Sequence, residues 1–235
     1  MKRIEFLRKA GTGIITSTLL GCQSSKSLNP EIISETEGST NGSSSENCEV
    51  TNTETAGPFP TKSPASYVME DITSNREGVL MNSYITIKNI NDNCTPLVGA
   101  IVDIWHCDAG GNYSQYGASS YASENFLRGR QISNADGLVA FKTIFPGWYP
   151  GRATHIHVQI FDSSGKSLLV TQIAFPKEVC DNVFTNASSI YTNGTQDTSN
   201  TKDGIFRDGY ANELAGVSGS IENGYELNHT IVVSA

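Results

Sequence analysis

Residues 138–161 read LVAFKTIFPGWYPGRATHIHVQIF, two runs typical of β-strands joined by a loop rich in Gly and Pro. Along a strand, residues i and i+2 point to the same face, so His155 and His157 present two imidazoles to one point. Tyr149, in the loop just before them, adds a phenol oxygen. A donor set of imidazoles and an anionic oxygen favours a harder, more highly charged cation than a thiolate site does. The stretch therefore predicts a strand pair that carries a non-haem iron site.

Further short runs of alternating or β-branched residues extend this pattern through the chain. They are separated by turn clusters such as NDNC, DAGG, NADG and DSSG, and no long helical period competes with them. The predicted strands are 83–89, 100–106, 138–143, 155–161, 168–175 and 230–234. The pattern predicts an all-β fold, an antiparallel β-sandwich with long functional loops. Within the polar segment 176–228 we expect one short helix near 178–184.

Composition and charge limit the classes of partner. The chain has 235 residues, 37% of them hydrophobic, and 22 glycines, which suits one loop-rich catalytic domain with its own core. The formal net charge is -8, and removal of residues 1–21, which carry +3, leaves -11. So few Lys and Arg residues provide no basic surface of the size that nucleic acid needs. Nucleic acid is therefore not an expected partner.

The first 22 residues read MKRIEFLRKAGTGIITSTLLGC, a basic start followed by an apolar stretch too short to span a bilayer. Residues 1–21 are predicted to be a lipoprotein-type signal peptide. Their end, LLG, together with Cys22 resembles a bacterial lipobox, which implies cleavage before Cys22 and its lipidation. We therefore expect export to the periplasm or cell envelope and attachment to the membrane by a lipid anchor. Residues 3–8 resemble a twin-arginine motif with Ile4 in place of the second arginine, which leaves the export route open.

Residues 22–47 are dominated by Ser, Asn, Glu and Gly, without an apolar period, and predict a flexible tether. The folded domain is expected at 48–235. Apart from Cys22, the cysteines are Cys48, Cys94, Cys107 and Cys180. An even number in an exported protein indicates up to two disulfides, with three pairings open. The alternative, a four-thiolate zinc site, lacks the C-x-x-C pair that is typical of such sites.

Four sequence blocks occur in one order: TAGPFP at 55–60, GAIVDIWHCDAGGNYSQY at 99–116, FLRGRQISNADGLVAFKTIFPGWYPGRATHIH at 126–157 and VTQIAF at 170–175. In combination they resemble the intradiol ring-cleavage dioxygenases, the family of the catechol and protocatechuate dioxygenases. The chain looks like an exported lipoprotein branch of that family. The resemblance implies an enzyme that inserts both atoms of O2 into a catechol-type aromatic diol to give a muconate-type diacid.

The resemblance also implies which residues form the site. The family holds a ferric ion, Fe(III), with two tyrosines and two histidines. The matching residues are Tyr113, Tyr149, His155 and His157. Tyr113 and His155 would be equatorial ligands, and Tyr149 and His157 axial ones, with Tyr149 leaving when substrate binds.

Arg152 and Gln172 match family residues that face the bound substrate. General chemistry agrees with the ligand set, because a phenol with an ordinary pKa near 10 becomes a ligand only beside a strong Lewis acid. Such an ion also attracts the two adjacent hydroxyls of a catechol.

Other interpretations stay open from the residues alone. His155 and His157 also fit two polar positions on the exposed face of a sandwich strand. A transthyretin-like or immunoglobulin-like binding module at the cell surface would keep them without iron, and a sandwich that binds copper or zinc would use them for another metal. The sequence does not specify the substrate or the oligomeric state.

Five other residues are expected to lie outside the metal site. The expectations are a hydrogen-bonded structural role for His106, a core position for Trp105 and a surface position for His229. For Arg128 and Arg130 we expect ion pairs on a solvated face, with an approach to an acidic substrate as the alternative.

Overall fold

Alternating apolar residues build the strands of this protein, whose computed structural model describes residues 48–117 and 119–235. The strands are β1 Leu80–Asn89, β2 Thr95–Pro96, β3 Ile101–Trp105, β4 Arg128–Ile132, β5 Leu138–Ile144, β6 His155–Phe161, β7 Ser167–Ala174, β8 Gly216–Ser220 and β9 Gly224–Val233. The helices are α1 Ser119–Ala122 and α2 Lys177–Asn186, with short 3-10 helices at Pro64–Ser66, Ile90–Asp92, Asn200–Lys202 and Phe206–Asp208. The predicted signal peptide (1–21), lipidation site (Cys22) and tether (22–47) lie outside the described residues.

All six predicted strands are present, and the helix predicted near 178–184 is α2. Three strands were not predicted. β4 and β8 contain Arg, Gln, Ser and Gly rather than runs of β-branched residues, and β2 has two residues. None of the helices within the described ranges is long and apolar enough to cross a membrane.

The strands form two sheets. One is antiparallel, in the order β4-β3-β6-β7. In the other, β1 pairs with β9 along one edge and with β2 and β5 along the other, and β8 pairs with β9. The all-β sandwich is confirmed, with one departure from a wholly antiparallel arrangement: β1 and β9 run parallel. These two strands are far apart in the sequence, so no hairpin forces them to run in opposite directions.

The core lies between the sheets, and β6 shows how it is divided from the rest. Ile156, Val158 and Ile160 are fully buried in the core. Burial of each such side chain stabilises the fold by about 1.5–3 kcal/mol. Because side chains alternate along a strand, His155 and His157 lie on the opposite face of the sheet, outside the sandwich. Long loops cover that outer face.

The structure also selects one of the open cysteine pairings. Cys48 and Cys94 form a disulfide, which ties the start of the described domain to the turn after β1. Cys107 and Cys180 are buried free thiols. The described residues therefore contain one disulfide.

Candidate metal centre

The imidazoles of His155 and His157 meet on the outer face of β6. Their Nε2 atoms are 3.2 Å apart. The two residues are only 2% and 1% exposed, although they lie outside the sandwich core. Loops provide this burial, because the second sheet covers only the core face of β6. An exposed pair of polar positions, one of the alternatives left open by the sequence, does not fit this burial.

The backbone fixes which nitrogen of His155 faces the site. Its Nδ1 lies 2.6 Å from the carbonyl oxygen of Ala153. A carbonyl only accepts, so Nδ1 donates its proton and Nε2 presents a lone pair. Burial and, to a smaller extent, the Arg152 guanidinium lower the pKa of His155 to about 3. The imidazole is therefore neutral and ready to bind a cation through Nε2.

His157 is held by the surfaces on either side of its ring. The ring stacks on Trp105, and a Cβ added to Gly57 would lie 3.0 Å from His157 Cε1. The Nδ1 atom of His157 has no hydrogen-bond partner among the residues that the structure describes. Burial lowers the pKa of His157 well below its ordinary value, so this imidazole is also neutral.

Two loops bring the predicted tyrosines to the histidines. Tyr113 Oη lies 3.3 Å from His155 Nε2. The Tyr149 ring centroid is 5.9 Å from that of Tyr113 and 5.8 Å from that of His155. Burial is the main cause that raises the pKa of both phenols, and the pKa of Tyr113 is raised well above its ordinary value. Phenols in such surroundings give up their protons only to a strong positive charge.

Glycines allow these two loops to touch through their backbones. A Cβ on Gly111 would lie 2.4 Å from the carbonyl oxygen of Trp148, and one on Gly147 would lie 2.4 Å from that of Asp108. Any side chain at either position would push the loops apart. The Asp108 carboxylate further fixes the turn before Tyr113, because its Oδ1 accepts from the backbone N–H of Asn112 at 2.9 Å.

The four side chains suit a hard, highly charged metal ion. Neighbouring ligands of one ion, with bonds of about 2.0–2.1 Å, lie roughly 3 Å apart. The closest donor pairs here are 3.2 Å and 3.3 Å apart. In the described part of the chain, no three His, Cys, Asp or Glu side chains form a group that could hold a metal. The phenol oxygens are therefore needed to complete the donor set, and they favour a hard cation.

Arg152 and Gln172 complete the arrangement. Arg152 Nη1 lies 3.3 Å from Tyr149 Oη and 3.3 Å from His155 Nε2. Arg152 Nη2 donates to Gln172 Oε1, and Gln172 Nε2 donates to the carbonyl oxygen of Thr55 at 2.9 Å. The structure thus brings all six predicted site residues of the folded domain together.

Known proteins share both the sequence and the fold around this centre. The sequence profile of the family described as Dioxygenase matches residues 60–202, more than half of the chain. A solved intradiol ring-cleavage dioxygenase from Tetranychus urticae superposes with a TM-score of 0.70 and 27% identity, over 80% of this chain and 95% of that one. The chain belongs to the intradiol ring-cleavage dioxygenase family.

Other relatives of this intradiol dioxygenase come from bacteria. The protocatechuate 3,4-dioxygenase beta chain of Burkholderia cepacia is 34% identical over 104 residues, 39% of this chain and 43% of that protein. The chlorocatechol 1,2-dioxygenase of Rhodococcus opacus is 31% identical over 100 residues, 34% of this chain and 38% of that protein. These matches span less than half the length of either relative. The dioxygenase domain of a dioxygenase carbohydrate-binding protein fusion from Streptomyces sp. SirexAA-E superposes with a TM-score of 0.58 and 27% identity, over 80% of this chain and 99% of that one.

Arg128 does not lie on a solvated face of the dioxygenase, so that prediction is wrong. The residue is 1% exposed. Its guanidinium donates to Ser114 Oγ at 2.8 Å, to the carbonyl oxygen of Phe59 at 3.0 Å and to Thr61 Oγ1 at 3.1 Å. Arg128 therefore ties the loop that carries Tyr113 to the segment around Phe59. Burial lowers its pKa to about 10, which still leaves a cation at neutral pH.

The other residues expected outside the centre divide as follows. Arg130 forms an ion pair as predicted, and its partner is Asp103, but the face is not solvated, since the two side chains are only 16% and 4% exposed. His106 has the predicted structural role, since its Nε2 lies 2.7 Å from Thr143 Oγ1. The surface position predicted for His229 is wrong: the ring is half-buried on β9 and burial lowers its pKa to about 4. The predicted strand 230–234 covers only the C-terminal half of β9, so the sequence analysis did not place His229 within a sheet.

The sequence analysis missed Asp203 as a site residue. Its carboxylate accepts from Arg152 Nε at 2.9 Å and from the backbone N–H of Ala153 at 2.8 Å. Asp203 follows the 3-10 helix Asn200–Lys202, in a polar loop where the only sequence signal is the turn cluster KDG. Gly57 was also missed, although its position in the block TAGPFP is a weak signal of a close backbone approach.

Proposed function

We propose that this protein is an Fe(III)-dependent intradiol dioxygenase that cleaves a catechol-type diol between its two hydroxyl-bearing carbons. One observation supports the proposal most directly. The Nε2 atoms of two neutral imidazoles and the oxygen of a buried phenol converge within 3.2–3.3 Å, beside the guanidinium of Arg152. A catechol and O2 together contain all the atoms of a muconate-type diacid, so the reaction needs no external reductant.

The proposed ligands are Tyr113, Tyr149, His155 and His157. When bound, the ferric ion supplies Lewis acidity toward the two adjacent hydroxyls of the catechol and makes the electron-rich ring reactive toward O2. The protein supplies a largely apolar surrounding, in which Trp105, Cys107 and Phe59 pack around Tyr113. Charges inside such a water-poor site interact more strongly than they do in bulk water.

Tyr149 is the ligand that we expect to leave when a catechol binds. It is half-buried, whereas Tyr113 is 4% exposed and packed against aromatic neighbours. The Tyr149 oxygen can accept a proton from an incoming hydroxyl and become a neutral phenol. Burial raises the pKa of Tyr149 and so favours this protonated form, although the Arg152 guanidinium opposes the shift. Arg152 Nη1, 3.3 Å away, then donates to the phenol oxygen.

Arg152 and Gln172 are proposed to serve the substrate. The guanidinium places a fixed positive charge beside the position that a catechol would take, where it stabilises anionic character on the ring during the reaction. Gln172 is held at both ends of its amide, by Arg152 and by Thr55. Such a group orients a neighbour without reorganising during the reaction.

Colour and oxygen uptake test the proposed function. The purified, iron-loaded protein should be red-brown from tyrosinate-to-Fe(III) charge transfer, and the band should shift when a catechol is added. Oxygen consumption is measured with catechol, protocatechuate, hydroxyquinol and larger catechols, and one O2 is expected for each ring cleaved. A colourless protein that consumes no O2 with any of them would contradict the proposal and favour a binding module.

We also propose that the protein is exported and held at the periplasm or cell envelope by a lipid on Cys22. The basic start and the LLG sequence before Cys22 support this location. In a bacterial host, the full chain should enter the detergent phase of a phase-partition experiment, whereas Cys22→Ser should remain in the aqueous phase. The same partition for both chains would contradict the anchor.

A further inference from the structure

The Arg152 guanidinium is held at two of its three nitrogen corners. Nε donates to the Asp203 carboxylate, at 2.9 Å from Oδ2 and 3.1 Å from Oδ1. Nη2 donates to Gln172 Oε1. Because the guanidinium is planar and rigid, two fixed corners determine the direction of the third. The third corner, Nη1, is the one that faces Tyr149 Oη and His155 Nε2.

Asp203 is itself fixed in place. Its side chain is 0% exposed, whereas the Arg152 side chain is 14% exposed. Besides Arg152, it accepts from the backbone N–H of Ala153 at 2.8 Å and from that of Ile205 at 2.9 Å. Among the described residues, three N–H groups donate to this carboxylate, and one of them belongs to a cation, so the charge is well matched to its surroundings.

The residue Ala153 connects this carboxylate to a predicted ligand. The N–H of Ala153 donates to Asp203, and its carbonyl oxygen accepts from His155 Nδ1. Asp203 therefore contacts both the side chain of Arg152 and the residue whose carbonyl orients His155. No other carboxylate in the described residues contacts both.

We propose that Asp203 is a positioning residue: it sets the direction of the Arg152 guanidinium and thereby keeps Nη1 at the oxygen of Tyr149. The consequence for catalysis rests on the proposed function. Asp203 lies one residue beyond the stretch 60–202 that the family profile matches, so the loop after that stretch supplies it. Without the carboxylate, the long Arg152 side chain regains rotational freedom, and its charge no longer points at one atom.

The first test uses metal-free protein and does not depend on the reaction. In 15N-labelled protein, the Nε–H signal of Arg152 is assigned by its loss in Arg152→Lys. We expect slow solvent exchange of this proton in the wild type and fast exchange in Asp203→Asn. Asp103→Asn is the matched control, because it removes the carboxylate of another largely buried Arg–Asp pair, the one between β3 and β4. The control should leave the Arg152 signal unchanged.

The second test is a double-mutant cycle on oxygen uptake. Asp203→Asn is expected to lower kcat about 10- to 100-fold with little change in KM, since misdirected catalytic groups cost rates of that order. In the Arg152→Ala background, Asp203→Asn should have little further effect, because it acts through Arg152. Arg152→Lys keeps the charge but cannot bridge Asp203 and Gln172, so its kcat should fall by as much as that of Asp203→Asn. This variant still tests the proposal if Asp203→Asn does not fold.

The outcomes separate this inference from the proposed function. Three results would each overturn the role of Asp203. They are slow Arg152 Nε–H exchange in Asp203→Asn, losses of kcat that multiply when Asp203→Asn is combined with Arg152→Ala, and full activity of Arg152→Lys. A wild-type protein that consumes no O2 with the catechol panel contradicts the proposed function, and the exchange measurement still decides whether Asp203 directs Arg152.

Discussion

The rings of Trp105 and His157 lie parallel, with centroids 5.0 Å apart and planes inclined by 3°. The two residues are direct neighbours across β3 and β6, and His157 is in turn the neighbour of Gln172 on β7. Neither Trp105 Nε1 nor His157 Nδ1 has a hydrogen-bond partner within the described ranges. Stacking across neighbouring strands, rather than a hydrogen bond, therefore orients this imidazole.

Replacement of Trp105 should separate packing from hydrogen bonding. Trp105→Leu removes the flat surface beneath His157, so we expect iron affinity to fall about tenfold, as for other groups that orient a metal ligand. It should also lower the free energy of unfolding by about 2–4 kcal/mol, because a large buried ring is lost. Trp105→Phe keeps a flat ring and should bind iron nearly as the wild type does. Competition with a chelator measures the affinities, and equal values for all three proteins would show that the stacking is unimportant.

Substitution of two proposed ligands should remove the colour. Tyr149→Phe and His157→Ala are each expected to abolish or strongly shift the tyrosinate absorption and to lower oxygen uptake at least about 100-fold, since each removes a donor to the ion. Tyr116→Phe is a matched control, because the Tyr116 hydroxyl donates to the carbonyl oxygen of Pro60 at 2.7 Å. It should keep both colour and activity. Equal oxygen uptake in all three variants would refute the assignment of the site.

Two glycines with positive φ allow backbone strain to be distinguished from contact with the site. Gly57 has φ 67° and Gly165 has φ 89°, so an Ala at either position should cost roughly 1–2 kcal/mol of stability. Only Gly57 faces the centre, where the new Cβ would lie 3.0 Å from His157 Cε1. Urea unfolding should show similar losses for both variants, while iron titration should show weakened binding for Gly57→Ala alone. Unchanged affinity in Gly57→Ala would mean that the ring moves aside freely.

Glu213 should make stability depend on pH. The residue is 0% exposed, and burial raises the pKa of its carboxyl from 4.5 to about 8. One oxygen accepts from Thr171 Oγ1 at 3.0 Å, and the other has no partner in the described part of the chain. Because the folded state holds this proton more tightly than the unfolded state, the stabilisation is complete below pH 4.5 and is lost as the pH rises to about 8.

Glu213→Gln mimics the protonated carboxyl at every pH. The variant should therefore match the wild type at about pH 5 and unfold at a higher urea concentration at about pH 9. Urea titrations at several pH values measure the difference. The same pH dependence in both proteins would show that Glu213 does not titrate in this range.

The parts of the centre that the sequence reveals are those encoded over short distances. His155 and His157 alternate within seven residues of strand, and Tyr149 and Arg152 precede them in the same loop. The contacts that could not be predicted join distant segments. Asp203 reaches Arg152 across 51 residues, and Arg128 reaches Phe59 across 69. A loop of Ser, Thr, Asn and Asp carries no periodicity that would indicate which carboxylate turns inward.

The same reasoning explains the errors in the fold. The strand β6 was predicted with its observed limits because Ile156, Val158 and Ile160 alternate with polar residues and Phe161 extends the run. The first half of β9, which reads GYELN, and the strand β4, which reads RGRQI, have weak strand patterns. Arg128 was expected in solvent because Arg is rarely buried without a carboxylate partner. Here backbone carbonyls and hydroxyls take that place.

The division of β6 between core and centre limits how this strand can change in length. Ile156, Val158 and Ile160 pack in the core, while His155 and His157 alternate with them and face the centre. Insertion or deletion of one residue within β6 would exchange the two sets, because side chains alternate with a period of two. Imidazoles would then point into the sandwich, and aliphatic side chains into the centre. Natural variation in length should therefore accumulate in the covering loops, which lie outside this alternation.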